Sequence, residues 1–119
     1  MNRKEFTELI LKKRIEKINA VLQSKADEYA SDKSFSYNFE RASKINNESP
    51  KKALWGMASK HLVSVIDMIE SESKFDDDYI DEKIGDMINY LILLEGILKS
   101  DNLCCGNSDE LGKCRDWCS

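Results

Sequence analysis

The stretch 79–99 constrains this chain more than any other. Ile80, Ile84, Met87, Ile88, Leu91, Ile92, Leu94, Ile97 and Leu98 recur through it at helical steps. Apolar side chains therefore cover more than half the girth of one long helix. Such a helix needs partners on several sides. With one proline and five glycines in 119 residues, the chain answers that demand with other helices rather than with a sheet.

Two more long helices are predicted. Phe6, Leu9, Ile10, Ile15, Ile18, Val21 and Leu22 give an apolar stripe over 2–30. Ser49-Pro50 then reads as an N-cap and first helical residue. Leu54, Met57, Ala58, Leu62, Val65, Ile66 and Ile69 line the helix that follows, over 50–71. Residues 37–45 suit a short helix with Phe39, Ala42 and Ile45 on one side. Asp77 or Asp78 is the expected cap of the last helix, over 78–99. The predicted fold is all-α, an antiparallel bundle of three to four helices. The apolar surplus on the last helix predicts completion of the bundle by a dimer or higher oligomer. One helical domain over 1–100 is followed by a tail over 101–119 that has no helical period and holds all four cysteines.

Charge narrows the function. Twenty-two acids against eighteen bases leave a net −4, which argues against broad nucleic-acid or anionic-membrane binding. No apolar run approaches the roughly 18–20 residues of a membrane span. The start "MNRKEFTELILKKR" lacks a signal-peptide core. A cytoplasmic location is expected, where thiols stay reduced. Cys104, Cys105, Cys114 and Cys118 offer four thiolates to a zinc ion. Their spacing departs from that of paired two-residue knuckles, and a loosely docked reduced tail is the other reading.

The polar residues of the last helix carry the chemistry. Glu82, Asp86 and Asn89 stand at i, i+4 and i+7 and share one stripe. Two carboxylates one turn apart make half a site for magnesium, which takes oxygen ligands. The other reading is a solvated acidic face. Asn89 and Tyr90 lie deeper along an increasingly apolar helix, and buried polar groups need partners. On the preceding helix Lys60 and His61 are a candidate phosphate contact and proton carrier, or else a solvated lysine and a hydrogen-bonded packing residue.

The segments "KADEYA", "YNFERA", "GMASKH" and "DEKIGDMINYLILL" occur in that order. Together they resemble a phage-borne branch of small proteins in the MazG-like, all-α NTP pyrophosphatase superfamily. The resemblance spans about two-thirds of the chain and does not reach the cysteines. It implies hydrolysis of a nucleoside triphosphate to the monophosphate and pyrophosphate, with magnesium held by acidic side chains. Glu82 and Asp86 would then be catalytic metal ligands, with Glu28 a further candidate ligand. Lys25, Lys60, His61, Asn89 and Tyr90 would contact the nucleotide. Two features depart from the enzymes: Lys83 stands where a glutamate is expected, and Lys60, His61 and Ser64 replace the glutamates of the preceding helix. The alternative is a catalytically silent phage protein that acts by binding a host protein.

Overall fold

The computed structural model describes residues 1–28 and 34–106; the side chains of 24–28 and 103–106 lie outside that description. All regular structure in the described residues is helical. The first rod is continuous: α1 (Arg3–Phe6), a π-turn (Thr7–Leu11) and α2 (Lys12–Glu28). Then follow α3 (Tyr37–Asn46), α4 (Pro50–Glu70) and α5 (Asp77–Gly106). α3 packs on α4, α4 on α5, and α5 on α2.

Local chemistry sets the helix ends. Asn2 Oδ1 accepts from the Glu5 N–H at 2.8 Å and starts the first rod. α3 ends at Asn47, whose φ of 54° is the left-handed cap conformation. Ser49 Oγ accepts from the Lys52 N–H, and Pro50 opens α4.

Two expectations are corrected here. The cap of α5 is Asp76, not Asp77 or Asp78: its Oδ1 accepts from the Tyr79 N–H at 2.8 Å. The last helix also runs past 99, to Gly106, so residues 101–106 continue α5. No glycine or proline stands between Gly96 and Gly106, and nothing earlier forces a stop. Cys104 and Cys105 are on that final turn, while Cys114 and Cys118 lie outside the described residues.

The core sits between α3, α4 and α5. Phe39, Leu54, Ala58, Met87 and Ile97 are buried together, and Met57, Leu62, Val65, Tyr90, Leu93 and Leu94 pack around them. Leu54 is the most enclosed large side chain, 1% exposed.

The first rod joins by a different device. Arg14 Nη2 and Lys17 Nζ both donate to the Asp81 carboxylate, at 3.1 and 2.7 Å. Arg14 lies close over Gly85: a Cβ there would stand 2.5 Å from Arg14 Nη1, so the guanidinium would have to shift. The apolar stripe of the rod is largely uncovered, contrary to a reading of it as core: Phe6, Leu9, Ile10, Ile15 and Val21 are exposed, while Ile18 and Leu22 are half-buried. The π-turn bears on that stripe. Its Thr7 carbonyl accepts from the Lys12 N–H, five residues on. The wider turn carries the Phe6 face between Ile10 and Leu11, from which α-helical steps lead to Ile15, Ile18 and Leu22.

Two predictions test this architecture. Leu54→Ala should cost about 2–5 kcal/mol in urea unfolding, the range for an enclosed leucine left as a cavity. Asp81→Asn should leave that core stability nearly unchanged yet speed amide hydrogen exchange in α2. A surface carboxylate adds little to global stability, and here it is the group that ties α2 to α5. Equal protection of α2 in both proteins would refute the second expectation.

Candidate functional site

A cavity of about 280 Å³ opens among the described residues where α2, α3, α4 and α5 meet. α2 contributes Val21 and Leu22, α3 contributes Asn38 and Phe39, and α4 contributes Met57 and His61. α5 contributes Asp86, Asn89, Tyr90 and Leu93. The α5 residues fall at i, i+3, i+4 and i+7, so one helix face supplies the whole wall. Met57 and His61 are likewise one turn apart on α4.

Rings dominate the lining. His61 and Tyr90 face each other with centroids 5.2 Å apart and planes tilted by 37°. Phe39 meets Tyr90 edge-on at 6.4 Å. Within this aromatic frame His61 Nδ1 lies 3.3 Å from Asp86 Oδ2. Both side chains remain partly open to the cavity, at 28% and 38% exposure. Asn89 Oδ1 is buried and has no hydrogen-bond partner among the described residues. An unfilled buried acceptor is uncommon, and each asks for an explanation. Burial pushes the Tyr90 hydroxyl above the ordinary tyrosine pKa, and the nearby Asp86 charge adds to that shift.

The sequence-predicted residues divide between two places. His61, Asp86, Asn89 and Tyr90 share the cavity. Glu82 and Lys60 lie outside it and are exposed. Glu82, 64% exposed, has Lys83 as its ion-pair neighbour among the described residues, at 4.0 Å. The cavity wall on α5 thus begins one turn beyond Glu82, at Asp86. Lys25 and Glu28 are on α2, but their side chains lie outside the described residues.

The magnesium site that the resemblance implies was tested against this geometry. Among the described residues no three His, Cys, Asp or Glu side chains converge to hold a metal. Asp86 is engaged by His61, and Glu82 is not beside it in the cavity. The side chain of Glu28, the third candidate ligand, lies outside the described residues, and no chemical step through a metal follows from the rest. What the arrangement does offer is an aromatic slot with two acceptors, Asp86 and Asn89, one turn apart.

The cavity residues that the sequence did not offer as site residues are Val21, Leu22, Asn38, Phe39, Met57 and Leu93. The signal that finds Phe39 is its place in "YNFERA", a short helix with one aromatic face. Asn38 stands in "YNFERA" and Met57 on the apolar stripe of α4, signals of a helix rather than of a site. They are drawn in by the packing of α3 on α4.

Tyr90 supplies a pH prediction. Its folded pKa is raised, so the stability linked to its neutral form is fully present below the free-tyrosine value near ~10 and is lost as pH climbs through the folded value. Alkaline titration of the tyrosine ultraviolet band should show one late-ionising group. Tyr90→Phe should remove it and shift alkaline unfolding to higher pH. A titration in which all four tyrosines ionise together would refute this. Compared with protein-family models, with curated proteins and with solved structures, the chain finds no match.

Proposed function

We propose that the chain is a MazG-like nucleotide-binding protein that holds a nucleobase in the cavity between α3, α4 and α5. The observation that carries this reading is Asn89, a residue that lines the cavity beside the Tyr90 and His61 rings and whose Oδ1 is a buried acceptor with no partner among the described residues. A base presents the two things such a slot lacks, a flat π-surface and an edge of N–H donors. Its face meets Tyr90, His61 and Phe39; its donors reach Asn89 Oδ1 and the Asp86 carboxylate. Filling an orphaned buried acceptor recovers about 1–3 kcal/mol of desolvation cost.

A second reading rests on Lys60, His61 and Ser64, which stand where the enzymes of the resembling superfamily carry glutamates. On that reading the protein is catalytically silent and acts by engaging a host protein.

The deciding experiment is calorimetric titration with nucleoside mono-, di- and triphosphates in magnesium buffer, run beside an assay for released pyrophosphate. Binding is expected, and Asn89→Ala should weaken it by about tenfold, the equivalent of roughly 1.4 kcal/mol. Release of pyrophosphate would restore the hydrolytic form of the reading. No binding by any nucleotide would overturn the proposal and leave the host-contact reading in its place.

A further inference from the structure

The polar groups of the cavity ask for donors. Of the Asn89 amide, Oδ1 is buried and has no partner among the described residues. Asp86 adds a carboxylate, which accepts on both oxygens, and only its Oδ2 lies by His61 Nδ1, at 3.3 Å. A carboxylate there favours the imidazole proton on Nδ1, which in the neutral ring leaves Nε2 as one more acceptor. The Tyr90 hydroxyl and the Asn38 amide can each donate and accept, so they discriminate little. No lysine or arginine side chain lines the cavity among the described residues.

Stacking does not choose between bases, because every base has a π-face. The His61 and Tyr90 rings, 5.2 Å apart, are too close to admit a plane between them. A base therefore lies against the aromatic group, and its edge is what the polar groups read. Size and charge keep the rest of a nucleotide outside. The cavity, about 280 Å³, is at the small end of ligand sites, which run from roughly 300 to 1,000 Å³. Its Asp86 carboxylate also repels phosphate.

We infer that the base this cavity selects is guanine. The inference rests on the nucleotide-binding reading above and narrows it. Guanine sets a ring N–H and an amino group side by side on its Watson–Crick edge, with no lone pair between them. Adenine and cytosine set their amino group beside a bare ring nitrogen. Uracil holds its ring N–H between carbonyl oxygens. Turned toward Asp86 and Asn89, each of these brings lone pair against lone pair. A site built to accept hydrogen bonds rejects a ligand that leaves its buried acceptors unpaired.

Calorimetric titration of the full chain with GMP, AMP, CMP and UMP tests the assignment, since all carry the same phosphate and differ in the base. GMP should bind about tenfold or more tightly than each of the others, the effect of one well-made base-edge pair. IMP keeps the ring N–H, lacks the amino group and should bind more weakly than GMP. Asp86→Asn, with unchanged helical circular dichroism, should shift the GMP-to-XMP affinity ratio about tenfold toward XMP. Its amide can donate to the carbonyl that xanthine carries in place of the amino group. Should that variant lose helix content, the IMP comparison on the wild-type protein decides. AMP, CMP, UMP or IMP binding as tightly as GMP, or an unchanged ratio in folded Asp86→Asn, would overturn guanine and leave the nucleotide reading standing. Failure of every nucleotide to bind would overturn both. Acetyl-arginine amide binding as tightly as GMP would overturn guanine in favour of an arginine side chain from a protein partner.

Discussion

Asp81 is the residue on which the arrangement of the first rod depends. α3, α4 and α5 hold one another through a shared apolar core, but α2 has little of that core to share. Its attachment is ionic, through Arg14 and Lys17 converging on one carboxylate. The hydrogen bond from Lys17 and the two nearby cations hold that carboxyl below its ordinary pKa. Gly85 gives the Arg14 guanidinium room to lie close against the helix. Everything α2 does further along, including closing the cavity with Val21 and Leu22, follows from where that clasp sets the rod.

The cavity and the clasp occupy consecutive turns of one helix. Asp81 and Gly85 face α2, while Asp86, Asn89 and Tyr90 line the cavity. The "GD" step of the sequence thus marks a boundary between a structural surface and a chemical one. Two neighbouring carboxylates, Asp81 and Asp86, have different partners on either side of it: two permanent cations for the first, an imidazole for the second. Asp86 is the one left partly open toward the slot.

Much of the bundle was legible in the sequence because helical period and punctuation agree. Ser49-Pro50 announces α4, and the apolar steps of 79–99 announce α5. The same periodicity does not reveal what covers a stripe. Phe6, Ile10 and Ile15 read like core residues but are exposed, because burial depends on the angle at which α2 meets α5. Of the candidate site, Asp86, Asn89 and Tyr90 were legible from their shared helix face, and His61 from its rarity. Glu82 was grouped with them by spacing alone. Spacing carries no information about where along α5 the neighbouring helices close the cavity, which begins at Asp86. Phe39 was legible as one face of a short helix, but its place beside Tyr90 comes from tertiary packing.

The π-turn has a consequence for the geometry of the rod's free end. A helix that stays α throughout fixes the bearing of every side chain from the first residue to the last. One widened turn at Thr7–Leu11 takes in a residue more than an α-turn does, so the heading of Phe6 relative to Arg14 depends on that turn's being π. Removing a single residue from 7–11 would let the turn close as an ordinary α-turn and leave Phe6 on nearly its present bearing. Removing one from the α-helical stretch instead would swing everything before it by about 100° around the rod.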